Sequence, residues 1–131
     1  MSSKVKNITG WIVSGAVSLA LAGSALDKII LSQHAIQMGT SFGLSPETYR
    51  ILGVIELLSA IVFIIPRTAV LGLLLLSSYL GGAITTHLLH KQGILFPAML
   101  ESLIWIGACL RLPELTKRII YAGTSGTAAG L

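Results

Sequence analysis

Leu52–Leu89, LGVIELLSAIVFIIPRTAVLGLLLLSSYLGGAITTHLL, is the stretch that decides the fold of this chain. Two apolar runs meet at Pro66-Arg67, and each is too long and too evenly apolar for a half-buried strand. Proline ends the first run because it has no N–H to continue a helix and it restricts the residue before it. A corner this short forces the two helices it joins to lie antiparallel. Polar groups are few: Glu56 deep in the first run, and Gly81, Gly82, Thr85, Thr86 and His87 toward the end of the second. Insertion into a bilayer needs none of them, so function is sought there first.

Outside the hairpin the chain keeps the same character. Of its 131 residues 11% are charged and 53% hydrophobic, where an ordinary soluble domain is about a quarter charged. Four mostly apolar runs, Ile8–Ile30, Tyr49–Ile65, Ala69–Leu89 and Ile94–Leu112, come near the ~20 helical residues that cross a hydrocarbon layer about 30 Å thick. Backbone in lipid must be hydrogen-bonded internally, and these runs lack the strict alternation of barrel strands. The expected fold is all-α, an integral membrane antiparallel four-helix bundle over residues 1–118, with helices at about 8–30, 47–65, 68–89 and 94–112. The Gly/Ala/Thr-rich end is too poor in large apolar side chains to build a core, so residues 119–131 are expected to be a flexible tail.

The net charge of +4 resides at the ends of the apolar runs, which reads as topology signal and not as a nucleic-acid surface. Lys4, Lys6, Arg67, Arg111, Lys117 and Arg118 fall at one end, and Lys28, Arg50 and Lys91 at the other. The excess places both termini of a multi-pass protein on the cytoplasmic side. Lys4, Lys6 and Ala20-Leu21-Ala22 imitate a signal peptide, but the apolar run continues to Ile30 and is read as a retained first helix. A single cysteine, Cys109, permits no intramolecular disulfide and is read as a small core residue.

Small residues mark where helices are expected to pack closely. Such rows are Ala16, Ala20 and Ser24 in the first helix, and Gly53, Glu56 and Ala60 with adjacent Ser59 in the second. In the third, Ser77-Gly81-Thr85 and Ser78-Gly82-Thr86 place that helix at the centre of the bundle. The loop from Ser32 to Pro46 carries Ile36, Met38, Phe42 and Leu44, and fits a short helix at the interface or folded over the mouth of the bundle. Ser45-Pro46-Glu47 is a helix start.

Alternating direction brings Asp27, Glu56, His87 and Glu101 into the same half of the bundle. Glu56 lies about seven residues in from Tyr49, or ~10 Å at the helical rise. A lone carboxylate at that depth needs a proton, a partner or a hydrated cavity. The expectation is a polar pocket in the outer half of the bilayer, drawn from Asp27, Lys28, Glu56, Tyr79, Thr85, Thr86, His87, Glu101 and Trp105, with Glu56, His87 and Glu101 as candidates for chemistry. Plainer readings stand beside it. Glu56 serves equally as an interhelical clasp, Glu101 and His87 as interfacial groups, Asp27 and Lys28 as a helix-end pair with a snorkelling lysine, and Trp11 and Trp105 as packing or interface residues. The histidines and carboxylates have no metal-ligand spacing, and no metal site is expected.

These residues, in this order and spacing, resemble the DoxX-like family of small membrane proteins over roughly Leu26–Leu115. The resemblance rests on Gly53 with Glu56, Pro66-Arg67-Thr68, Gly72, Tyr79-Leu80-Gly81-Gly82-Ala83, Thr86-His87, Phe96-Pro97, Trp105 and Arg111. It implies four membrane helices and an activity that is unassigned for most members. Some relatives are associated with a terminal quinol oxidase or quinone-coupled sulfur oxidation, and distant ones look like assembly or trafficking helpers. The residues themselves leave the cofactor unknown, and a quinone enters by resemblance alone. Glu101 departs from the family pattern, where a small or apolar residue is usual.

Three functions fit these residues. In the first, a quinone- or redox-associated accessory subunit, Glu56 and His87 bond to or exchange protons with a lipophilic headgroup. In the second, a non-catalytic helper binds a membrane-protein partner or a second copy through its small-residue rows. In the third, an isomerase or hydrolase acts on a lipophilic substrate with Glu56 and Glu101 as acid and base. Four helices leave little room for a transporter unless the protein oligomerises.

Overall fold

The computed structural model describes residues 2–120, and every regular element among them is helical. Serine caps begin the first three helices. The Ser2 hydroxyl accepts from Val5 N–H at 3.2 Å to start α1 (Ser3–Ile30). Ser32 accepts from Ala35 N–H at 3.0 Å before α2 (Gln33–Ser41), and Ser45 from Thr48 N–H at 3.2 Å before α3 (Pro46–Ile64). A 3-10 turn over Pro66–Thr68 leads into α4 (Ala69–Leu89), and α5 (Leu95–Arg111) bends by 108° into α6 (Pro113–Ile120). Hydropathy alone starts the first helix at Ile8, but Ser2 caps it a turn and a half earlier, where the polar residues Lys4, Lys6 and Asn7 contribute nothing to an apolar run. Pro113-Glu114 opens α6 with proline and an acid in the first turn. The tail expected over 119–131 lies outside the described residues from 121 onward, and Ile119 and Ile120 belong to α6.

The Pro66 corner needs repair because proline leaves helical carbonyls without donors. Val62 C=O would ordinarily accept from the N–H of residue 66, which does not exist. Thr68 Oγ1 donates to it instead at 2.8 Å, and the Arg111 guanidinium donates to the next carbonyl, that of Phe63. Replacing Thr68 by Val keeps the shape and removes the donor. The change is expected to cost about 1 kcal/mol, seen as a lowered Tm in detergent, and Thr68→Ser is expected to restore it.

Packing is pairwise and consistent in sense. α1 lies against α3 and α5, and α4 lies against the same two helices. Along α3 and α4, Phe63 meets Gly72 and Glu56 meets Tyr79, so the numbering falls on one helix as it rises on the other. Along α1 and α5, Gly10 meets Arg111 and Gly107 meets Ser14, again in opposite directions. The shared core is Val17, Leu21, Ala60, Phe63, Leu73, Leu76, Leu80, Leu100, Ile104 and Ala108. The corner end therefore gathers Pro66, the start of α1 and the end of α5. The far end gathers Lys28, the start of α3 and the end of α4.

Two expected packing rows are corrected. The buried side of α1 is Gly10, Ser14, Val17, Leu21 and Ala25, while Ala16 and Ala20 are exposed. In α4 an added Cβ at Gly81 or Gly82 would meet nothing within 4 Å, and the close approach is at Gly72, where it would stand 2.2 Å from the Phe63 backbone. The cause is the corner: a three-residue turn holds α3 and α4 together at its own end, so the residue that must be small is the one opposite Phe63. Arg111 is corrected as well, since it is not a solvated end charge. It is buried at 5% exposure, with its guanidinium 4.6 Å from the Trp11 ring and 4.5 Å from the Phe63 ring. A planar, weakly hydrated cation tolerates such stacking where an ammonium would not.

Two helical segments, Ser3–Ile30 and Pro66–Leu89, are long and apolar enough to cross a membrane, and a third qualifies if α5 and α6 count as one bent span. α3 falls short on charge, because any 18-residue stretch of it contains Glu47, Arg50 and Glu56. Large apolar side chains cover the outside, including Ile12, Leu19, Leu58 and Leu71, each more than half exposed. An outer surface of this kind suits lipid better than water.

Candidate functional site

The site is set by a close helix contact. A Cβ on Gly53 would stand 2.7 Å from Lys28 Cβ and 2.8 Å from Ala25 O, so only glycine lets α1 lie this near α3. Lys28 consequently turns across the gap. Its Nζ donates to Glu56 Oε2 at 2.9 Å and to Ser24 Oγ, one turn back on its own helix, at 2.5 Å. From α4, Tyr79 OH donates to the same Oε2 at 2.9 Å. Glu56 is 2% exposed, and no bond to its Oε1 is made among the described residues. A buried carboxylate thus has one oxygen committed to an ammonium and a phenol and the other free.

This triad forms part of the wall of a cavity of about 770 Å³, within the size range of small-molecule sites. Most of the remaining wall is apolar, with Leu52, Ile55 and Leu100 among its members. α2 lies over the far end through His34 and Met38, with Phe42 directly after it. Phe42, Ala35 and Tyr49 form their own small core beneath it. Gln92 Nε2 donates to Ser41 Oγ at 3.2 Å, tying this segment to the turn after α4. The Phe42 ring lies tilted on His87 with centroids 4.8 Å apart.

Of the residues expected to form the pocket, Asp27, Lys28, Glu56, Tyr79, Thr86 and His87 line this cavity, and Thr85, Glu101 and Trp105 do not. Asp27 and Lys28 are not a helix-end pair: Lys28 bonds inward to Glu56, while Asp27 Oδ2 stands 3.1 Å from His34 Nδ1 in α2. His87 does not bond to Glu56. Its Nδ1 is 2.7 Å from Ala83 O, and because a carbonyl only accepts, Nδ1 carries the hydrogen and Nε2 is left as the other polar atom. Thr85 and Thr86 hydroxyls are returned to Gly81 O and Gly82 O of their own helix.

Glu101 belongs to a second polar cluster between α4 and α5. Ser77 Oγ donates to its Oε1, Trp105 Nε1 lies 3.1 Å from both, and Oε2 is buried without a partner. Glu56 and Glu101 therefore occupy different sites. Among the described residues no three His, Cys, Asp or Glu side chains are grouped to hold a metal ion.

Ser24 and Tyr49 join the site although neither is among the residues expected there. Ser24 is four residues before Lys28, and Tyr49 is seven before Glu56, so each had a helical-spacing signal. Tyr49 is buried with its ring 5.4 Å from Lys28 Nζ, which favours the ammonium at that place. Phe42 lies in the segment whose amphipathic pattern fits a helix over the mouth of the bundle, and its contact with His87 depends on how that segment folds.

Residues 12–107 match the model of the DoxX-like family. Among curated proteins and among solved structures, none matches the chain.

Proposed function

We propose that this chain, which belongs to the DoxX-like family, is a multi-pass membrane protein that holds an uncharged lipophilic small molecule against Glu56, Lys28 and Tyr79. In this reading α1, α3, α4 and α5 cross the bilayer as an antiparallel four-helix bundle. Exposed Lys4, Lys6, Arg67, Lys117 and Arg118 keep the corner end and both termini cytoplasmic. The pocket then opens in the outer half of the membrane.

The observation that carries the reading is the free Oε1 of a buried, ion-paired carboxylate in the wall of a largely apolar cavity. At Glu56 the charge is balanced by Lys28, so a charged headgroup gains no counter-ion at that point, whereas a hydroxyl or carbonyl headgroup finds an acceptor and an ammonium donor. Asp27, the other carboxylate of the wall, is turned to His34 of α2. A quinone or quinol has such a headgroup. The family resemblance thus favours a quinone- or redox-associated accessory subunit, with His87 as a second polar atom of the pocket. Native mass spectrometry of the detergent-extracted protein is expected to show a co-purifying uncharged lipophile, and Glu56→Gln to lower its occupancy at least severalfold. An empty wild-type protein that also takes up no short-chain benzoquinone or quinol overturns the proposal.

A second reading, a non-catalytic partner of another membrane protein or of a second copy, draws on small residues with open space beside them. Gly15, Gly23 and Gly81 have nothing within 4 Å of an added Cβ, and a partner helix could approach them closely. An isomerase or hydrolase using Glu56 and Glu101 gains no such support, since the two carboxylates lie in separate sites.

A further inference from the structure

We infer that the pocket is filled sideways from the bilayer, through a window between α3 and α4, by a chain-bearing amphiphile with an uncharged headgroup. The inference rests on the ligand-binding reading above and adds the route and the ligand's shape.

Several residues that line the cavity are also exposed on the outer surface. Ile55 of α3 is 46% exposed and Leu75 of α4 is 42% exposed, and Ser78 and Gly82 of α4 are exposed beside them. On α4, residues 75, 78, 79 and 82 recur at three- and four-residue spacing and form one stripe. A single stripe therefore carries both the Tyr79 hydroxyl that reaches Glu56 and the small residues that face outward. The flanks of this stripe are apolar and exposed, with Leu58 at 57%, Leu71 at 54% and Leu74 at 53%. In a membrane they would lie against acyl chains.

The helices leave room at this level for a physical reason. Gly72 brings α4 onto the Phe63 backbone at the corner end, but at Gly82 an added Cβ would meet nothing within 4 Å. Glu56–Tyr79 is the side-chain bridge between α3 and α4 that lies between those two levels. Over the opposite end lie α2 and the residue after it, Phe42, tied down by Gln92 on Ser41, His34 on Asp27 and Phe42 on His87, with the His34 side chain itself 75% exposed. A headgroup entering between Ile55 and Gly82 reaches the free Oε1 of Glu56 while its chain stays in the window and the surrounding lipid. Chain length is then not limited by the cavity volume.

The test uses a diazirine-bearing monoacylglycerol as probe, mixed with the full-length protein in nanodiscs and irradiated at intervals. Wild-type protein is expected to form an adduct on α3 and α4 peptides that excess mono-oleoylglycerol competes away. Gly82→Trp, which fills the window, is expected to slow adduct formation at least tenfold while helicity and monodispersity are kept. In a Cys109→Ser background, Ser41→Cys and Gln92→Cys bridged by a bismaleimide fix α2 in place, and this protein is expected to label at the wild-type rate. Unchanged labelling of Gly82→Trp, or slow labelling of the bridged protein, overturns lateral entry and leaves the pocket reading standing. If wild-type protein forms no competable adduct, the binding of an uncharged amphiphile fails with it.

Discussion

Lys28→Met is expected to destabilise this protein more than Glu56→Gln, although both changes break the same ion pair. The difference follows from what each leaves behind. Without Lys28, Glu56 is a carboxyl group whose side chain is 2% exposed, with only Tyr79 to bond to it and Met in place of its cation. Stranding one member of a buried pair costs about 3–5 kcal/mol, reduced where the group can take up a proton. Without the Glu56 charge, the amide of Gln still bonds with Tyr79 OH. Lys28, whose side chain is 12% exposed and sits two residues from the end of α1, keeps Ser24 and can swing its stem toward the surface. About 1–2 kcal/mol is expected for that loss. The double variant, with neither charge, should be more stable than Lys28→Met alone. Unfolding free energies of the four proteins, measured by denaturant titration in one detergent, check the order. Equal losses for the two single variants, or strictly additive losses in the double, would show that the pair is not a buried one.

How far the sequence discloses this site depends on the kind of signal each residue leaves. Pro66, the Ser45-Pro46-Glu47 helix start and the depth of Glu56 are local facts, readable from spacing alone; α3 begins at Pro46 after the Ser45 cap and gives way to the turn at Pro66. The partner of Glu56 is not local. Lys28 and Asp27 are neighbours at a helix end, and only the rotation of α1 about its own axis decides which of them turns to α3. In a soluble helix the apolar stripe would reveal that rotation, but here the outward positions are as apolar as the inward ones. Leu19 and Leu21 look alike in the sequence, yet one is 76% exposed and the other fully buried. The same degeneracy hides which small residues are contacts: Gly53 is one, as its row suggests, but Ala16, Ala20, Gly81 and Gly82 suggested interfaces that the chain makes at Gly10, Gly72 and Gly107 instead. Arg111 misled for the complementary reason. A basic residue at a helix end signals topology on average, and its use as a donor to Phe63 C=O depends on a carbonyl that becomes available only at the proline corner.

Alanine substitutions at the glycines are expected to separate contact from coincidence, with Gly72→Ala the most damaging. Its Cβ would lie 2.2 Å from both Phe63 Cα and Phe63 N. Those are backbone atoms, so no side-chain rotation relieves the clash and α3 itself must move against a three-residue corner. Overpacking a core typically costs about 1–3 kcal/mol and more where the backbone is pinned, so this variant is expected at or above the top of that range. Gly10→Ala and Gly53→Ala come next, since each meets a backbone atom, Arg111 N at 2.7 Å and Ala25 O at 2.8 Å, on a helix that has some freedom to slide. Gly107→Ala is expected to cost less, because its nearest neighbour is Ser14 Oγ at 2.6 Å, a hydroxyl that can rotate away. Gly15→Ala, Gly23→Ala and Gly81→Ala have nothing within 4 Å and should be neutral or gain up to about 1 kcal/mol of helix propensity. Tm values for the seven variants in one detergent decide the matter. A fall at Gly81 as large as that at Gly72 would mean that an unseen helix packs on α4, the outcome the partner-binding reading requires. The expected order would instead leave close helix contact confined to the four glycines of the α1–α3–α4–α5 packing.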